Sequence, residues 1–311
     1  MKPSSSAVIT GAMHVNQLKN ILAATDLSGP ALQAAERAAR LAKTSGAPLR
    51  LVHVLSAGVA AQLQSLIGLG SALEAKLFEA TRQELQTLAD RLAAEHEVQA
   101  DAALLQGGVA DEVTREADAM DADLVVLGAR GKDFLRRLLL GSTAERLLRK
   151  STRPMLVVKQ RAREPYRRAL VAVDFSAWSV PLVDMARNVA PGAHIVLLSA
   201  YDVPFEGKLR YASVPDATIN LYREQAWQAA ERQLHALAAR TGLGPSQWTP
   251  CLPRGDPSLA IVEQELECGC DLIVVGKHGQ NMAEELLLGS VTSHVLAESV
   301  SDVLVSTATS A

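Results

Sequence analysis

At 311 residues, 48% of them hydrophobic and 21% charged, the chain has the apolar material for two packed domains and is no disordered polymer. A formal net charge of −3 and 4% aromatic residues leave neither a basic field for nucleic acid nor a base-stacking platform. Three cysteines make no disulfide framework, and no stretch approaches the ~18 apolar residues of a membrane span.

That cysteine usage, with no signal-length apolar core among the opening residues, sets the expected location in the cytoplasm. Cys268-Gly269-Cys270 could be a metal or redox pair but lacks the second pair that a zinc site needs, so Cys268 and Cys270 read as buried thiols at a helix end.

In chain order, residues 1–19 read as a loose leader. Residues 20–26, NILAATD, are a short apolar run ending in a carboxylate, which predicts a buried strand. Ser28-Gly29-Pro30 opens a helix, with Ser28 as cap and Pro30 in the first turn, and Gly46 closes it. Residues 49–55 are a second strand; the small-residue connection 57–70 has no legible form. Ser71 and Glu74 have capping-box spacing ahead of a helix reaching about His96. A third strand over 98–105, a turn at Gly107-Gly108, a short helix through Val113 and Ala117, and a fourth strand over 124–127 follow. A helix over 142–150 and a strand over 154–158 complete a doubly wound α/β unit with a parallel sheet.

Residues 159–168, KQRAREPYRR, read as a solvated basic linker. The pattern then restarts: strands over 169–174, 194–200, 248–252, 272–275 and 303–305, with helices over 178–190, 216–240, 258–267 and 290–298. Asp216 is the expected cap of the long helix, and 201–215 an aromatic-bearing loop. The expected division is a first domain over 1–160 and a second over 161–311.

Residues 123–148 and 271–296 are one passage written twice. Gly128, Gly131, Gly141 and Ser142 recur as Gly276, Gly279, Gly289 and Ser290, each 148 positions on, as Asp26 recurs as Asp174 and Gly107 as Gly255. In a doubly wound sheet, ligands sit beyond the carboxyl ends of the strands. Gly128 and Gly276 lie at such ends, where glycine permits positive φ and close approach to a ligand. Ser142 and Ser290 open helices, whose free N–H groups and dipole favour an anion. The two ends of each loop are therefore suited to clasp a phosphate chain, with a hydroxyl from Ser142 or Thr143. Taken singly, such features are also an ordinary turn and an ordinary cap; their repetition at kept spacing favours the phosphate reading. Loop one carries Arg130, Lys132, Arg136 and Arg137 against Asp133, the second pair of arginines reading equally as a solvated helix face. Loop two carries Lys277 and His278 against Glu284 and Glu285, so the first is the stronger anion site. Asp26 and Asp174 either accept from a sugar hydroxyl or base edge, or cap a turn. The strand end at His53 and Val54 is placed to wall a base.

Through these residues the chain resembles the universal stress protein family in its tandem form, whose nucleotide-binding branch carries G-x-x-G-x9-G-[ST]. The resemblance implies two Rossmann-like domains with five-stranded parallel sheets ordered 3-2-1-4-5. It implies ATP, or ADP or AMP, between strands one and four, with Mg accompanying ATP. It assigns Asp26, Gly128, Arg130, Gly131, Gly141, Ser142 and Thr143 to the first site, beside the Val54 strand end, and Asp174, Gly276, Gly279, Gly289 and Ser290 to the second. The second departs at His278, where the first has Arg130, and at Val291, where it has Thr143. Members commonly dimerise through the last strand, so the halves are expected to pair as an internal pseudo-dimer, alone or within a homodimer.

The leading functional expectation is a nucleotide-binding sensor or regulator. The chain has no G-x-x-x-x-G-K-[ST] loop and no legible general base. The rivals are a slow ATP-hydrolysing enzyme, and an interaction or carrier protein with relic sites that uses 57–70 or 201–215.

Overall fold

The computed structural model describes residues 18–56, 71–129, 140–277 and 288–307. The first half gives β1 (Ile21–Ala24), α1 (Gly29–Ser45), β2 (Leu49–Leu55), α2 (Ser71–His96), β3 (Ala100–Gln106), α3 (Val109–Ala119), β4 (Leu124–Gly128), α4 (Ser142–Lys150) and β5 (Met155–Val158). The second gives β6 (Arg168–Ala172), α5 (Ser179–Val189), β7 (His194–Leu198), α6 (Glu206–Tyr211), α7 (Asp216–Arg240), β8 (Trp248–Cys251), α8 (Pro257–Glu267), β9 (Leu272–Gly276), α9 (Ser290–Glu298) and β10 (Asp302–Ser306).

The strands run β3-β2-β1-β4-β5 in one half and β8-β7-β6-β9-β10 in the other, the same order twice. Every pairing within a half is parallel. β5 and β10 then pair antiparallel, Val157 opposite Val303 and Leu156 opposite Leu304, and the halves share one ten-stranded sheet.

The central strands have no polar alternation because helices cover both faces. Leu22, Leu124, Val126, Leu156, Leu272, Val274 and Leu304 have no exposed surface; each such side chain contributes about 1.5–3 kcal/mol by burial. The outer strands differ. β3 is only half-buried, and β8 holds Pro250, which an edge strand tolerates because one side of it needs no N–H donor. In α1, Ala31, Ala34, Ala35, Ala38, Ala39 and Ala42 form a buried face of small side chains. Gly46 ends that helix at φ +74°, its N–H donating to Ala42 O at 2.8 Å.

Four local readings of the sequence need correction. The stretch 201–215 contains α6, whose Glu206 draws in Arg210, Arg223 and Arg254; the Arg223 hydrogen bond holds the Glu206 carboxyl below its usual range. Asp216 lies in the first turn of α7 rather than at its cap, which is Pro215. Ser28 stands at the cap of α1, but its hydroxyl makes no capping bond. The segment 159–168 is no free linker. Its Lys159 and Gln160 N–H groups and its Tyr166 hydroxyl all donate to Asp302, which has no exposed surface. Arg37 from α1 joins them, 3.3 Å from Asp302 Oδ2 and stacked 4.1 Å over the Tyr166 ring. A buried carboxylate needs such partners, and the segment supplies them.

Candidate functional site

Beyond the carboxyl end of β1, Asp26 Oδ1 accepts the Ser28 N–H at 2.9 Å; beyond β6, Asp174 Oδ1 accepts the Ser176 N–H at 3.0 Å. The turn-capping role weighed for both aspartates is therefore present in both. The residue between has a left-handed backbone each time, Leu27 at φ 61° and Phe175 at φ 60°. For side chains of this kind that conformation costs roughly 1–2 kcal/mol. Its appearance at the same place in both halves marks a constrained position. Sequence reasoning missed it, since neither leucine nor phenylalanine advertises positive φ; the repeated D-[LF]-S was the available signal.

Ser28 Oγ is buried without a hydrogen-bond partner among the described residues. In the second half Ser179 Oγ lies 3.4 Å from Asp174 Oδ1, whereas the corresponding residue in the first is Ala31. Val54 is buried near the end of β2. Its neighbour His53 sets Nδ1 2.6 Å from Thr25 O; a carbonyl only accepts, so the ring carries its proton on Nδ1. This bond ties the ends of β1 and β2 together beside Asp26.

Gly128 ends β4 against the start of α1. A Cβ there would stand 2.9 Å from Pro30 O and 3.0 Å from Pro30 C. The space that a side chain would need is thus taken by the start of α1. Positive φ is not used at the described loop glycines either: Gly141 has φ −65° and Gly289 φ −58°. It is used at Gly107, φ +145°, and Gly255, φ +120°, where the chain turns out of the third strand of each half.

The kept spacing has a geometric cause. Gly141 N–H donates to Ala129 O at 2.9 Å, and Gly289 N–H donates to Lys277 O at 3.0 Å. Each loop therefore leaves and re-enters at one hydrogen bond, and its helix starts immediately after. Ser142, Thr143 and Ser290 are exposed in the first turns of α4 and α9, and the N-cap residues, Gly141 and Gly289, have no side chain with which to cap either helix start. Their leading N–H groups can accept an anion in place of a cap. Asp26, Val54, Gly128, Gly141, Ser142 and Thr143 thus all lie at the carboxyl ends of adjacent strands or at the helix start that follows. The same holds for Asp174, Gly276, Gly289 and Ser290 in the second half. Arg130, Gly131 and Gly279 lie outside the described residues, as do the remaining loop charges except Lys277.

The second loop is wired differently. Lys277, read as part of its positive charge, is buried, and its Nζ donates to Arg149 O and Ser151 O, both at 2.9 Å, at the end of α4 in the other half. Thr292 Oγ1 donates to Gly276 O at 2.7 Å, a bond that Ala144 at the matching place in the first half cannot make.

Glu36, Glu95 and His96 bring two carboxylates and an imidazole within 4.8 Å of one another. His96 Nε2 lies 2.7 Å from Glu36 Oε1 and Arg40 lies 3.8 Å from the same oxygen. That contact has hydrogen-bond length, and the group ties the end of α2 to α1.

The family model described as the universal stress protein family matches residues 17–159 and again 165–306. A universal stress protein of Mycolicibacterium smegmatis is 27% identical over 303 residues, covering 92% of this chain and 96% of its own. One from Methanocaldococcus jannaschii is 33% identical over 153 residues, 48% of this chain and 86% of its own. Among solved structures, a universal stress protein from Archaeoglobus fulgidus superposes with a TM-score of 0.66 at 20% identity, covering 92% of this chain and 97% of that one. The last of these likenesses is one of fold.

Proposed function

The chain belongs to the universal stress protein family, and on that premise we propose that it binds an adenine nucleotide, ATP foremost, in the cleft between the first and fourth strands of its first half. The observation that carries this reading is the hydrogen bond from Gly141 to Ala129 O. It sets a helix start whose cap residue is a glycine beside the end of β4, where a phosphate chain receives N–H groups and the helix dipole. Ser142 and Thr143 add hydroxyls, and Arg130 and Gly131 belong to the same loop. Asp26 and the Val54 strand end receive the ribose and base. Mg accompanies ATP as a counter-ion on its phosphates. ADP and AMP fit the same cleft with fewer phosphate contacts.

The second site, around Asp174, Gly276, Gly279, Gly289 and Ser290, is the weaker. Its lysine is committed to the other half, Val291 replaces a hydroxyl, and Thr292 occupies the Gly276 carbonyl. The protein acts as a cytoplasmic sensor or regulator whose output is its liganded state rather than turnover. Its domains, 1–160 and 161–311, work as an internal pseudo-dimer.

Isothermal titration of the full chain with ATP, ADP and AMP, with and without Mg, tests this. Saturable binding that Ser142→Ala combined with Thr143→Val weakens supports the reading. Absence of heat and of thermal stabilisation at millimolar nucleotide overturns it. Phosphate release measured on the same samples distinguishes a sensor from a slow ATPase.

A further inference from the structure

Cys251 ends β8 and Cys268 is the C-cap residue of α8. Both sulfurs converge on one oxygen: Cys251 Sγ lies 3.2 Å and Cys268 Sγ 3.8 Å from Gln264 Oε1. The two thiols are therefore neighbours across a single amide, although 17 positions separate them in the chain. Both are only partly buried, whereas Cys270 is buried. The sequence pointed to Cys268-Gly269-Cys270 as the pair to consider, but the fold brings Cys268 to Cys251 instead.

We propose that Cys251 and Cys268 form an oxidation site, closing to an intramolecular disulfide in exchange with a low-molecular-weight disulfide.

The thiolate of one cysteine attacks the small disulfide, forming a mixed disulfide and expelling one small thiolate. The second cysteine loses its proton and attacks the protein sulfur of the mixed disulfide, expelling the other small thiolate. Two S–H bonds are lost, one S–S bond forms, and the small disulfide is reduced to two thiols that carry the protons. Burial, and then the neighbouring Cys268, push the Cys251 thiol up to about 11, while burial pushes Cys270 up to about 12. The raised thiol makes Cys251 the poorer first attacker, so its part is the second step, where the mixed disulfide is already held beside it, and Cys270 is kept out by its burial. The product staples the end of α8 to the end of β8. This inference is independent of the nucleotide reading, since it concerns the outer strand β8 and the end of α8.

The test treats the folded full-length protein with glutathione disulfide, then labels free thiols with a maleimide under denaturing conditions and counts them by mass spectrometry. The reduced protein takes three labels; the oxidised protein is expected to take one, with no glutathione retained and a peptide joining Cys251 to Cys268. Cys270→Ser is expected to preserve that link, Cys251→Ser to abolish it and retain glutathione on Cys268, and Cys268→Ser to abolish it with no glutathione retained. Three labels after prolonged treatment, or a link through Cys270, overturns the proposal. Circular dichroism of each variant separates lost folding from lost chemistry.

Discussion

Lys277 Nζ donates to Ser151 O at 2.9 Å across the join between the halves, and the reverse contact exists as well. Lys159 Nζ donates to Leu296 O at 2.9 Å and to Ser299 O at 2.7 Å. Each half thus sends an ammonium group into the carbonyl end of the other's last helix, where the helix dipole is negative. The two lysines are not sequence counterparts: Lys277 corresponds to Ala129, and Lys159 to Thr307. Similar contacts were reached from different positions.

Replacing either ammonium should weaken the join. Lys277→Met keeps the stem but leaves Arg149 O and Ser151 O without this donor, and the expected loss is about 2 kcal/mol. Lys159→Met is expected to cost about the same. Urea unfolding of each variant, compared by midpoint at unchanged slope, gives the values. A loss below ~0.5 kcal/mol for both would mean that water replaces these contacts without penalty.

Asp302 sets a pH signature. Burial, the largest influence, raises its carboxyl above the usual aspartate range despite Tyr166, two backbone N–H groups and Arg37. The native state therefore binds a proton more readily than the unfolded chain. The associated stability is fully present below the unfolded aspartate range and is lost as pH rises through the higher native value. Asp302→Asn leaves the buried Arg37 without its anion and is expected to cost about 3 kcal/mol at neutral pH. The wild-type advantage should widen as pH is lowered toward 4. Parallel denaturation series on the two proteins measure that gap, and one that narrows on acidification contradicts the assignment.

Gly128→Ala and Gly289→Ala should differ in severity. At 128 the added carbon meets Pro30 backbone at 2.9 Å, and at 289 it meets Lys277 O at 3.3 Å. The first forces α1 away from β4, with an expected loss of about 1–3 kcal/mol and weaker ATP binding. The second needs a shift of a few tenths of an ångström and should cost less. Thermal unfolding with and without ATP ranks them.

Nucleotide should fill one site per chain before the other. Titration of the wild type is expected to give a stoichiometry near one, falling with Thr143→Val. Val291→Thr supplies the hydroxyl missing from the second half and should strengthen any second binding event. Equal affinities at both sites would show that the differences at Lys277, Val291 and Thr292 do not matter to the ligand.

Much of this arrangement was legible because its causes are local. Near-continuous apolar runs, ending in Asp26 for β1 and in glycine for β4 and β9, gave these strands to within a few residues, and the doubled glycine pattern marked the helix starts at Ser142 and Ser290. Other features depend on residues distant in sequence. Lys159 stands in a segment that reads as basic and solvated, and only β10 brings Asp302 beneath it. Lys277 looks like loop charge until the ten-stranded sheet sets it against α4. Gly128 also needs its missing side chain for a contact that only the fold shows, the approach of Pro30. The left-handed Leu27 and Phe175 leave no mark in residue type, since the turn around Asp26 and Asp174 imposes them.

The antiparallel seam between β5 and β10 has one more consequence. In an assembly of two identical chains about a two-fold axis, every substitution at the seam is imposed on both sides at once. Here both sides belong to one polypeptide, so a lysine can enter at 277 while alanine stays at 129, and Thr307 can reach Thr152 O at 2.6 Å while Lys159 takes another partner. Being covalently joined, these unlike faces also meet at any dilution, and their pairing carries no dependence on protein concentration.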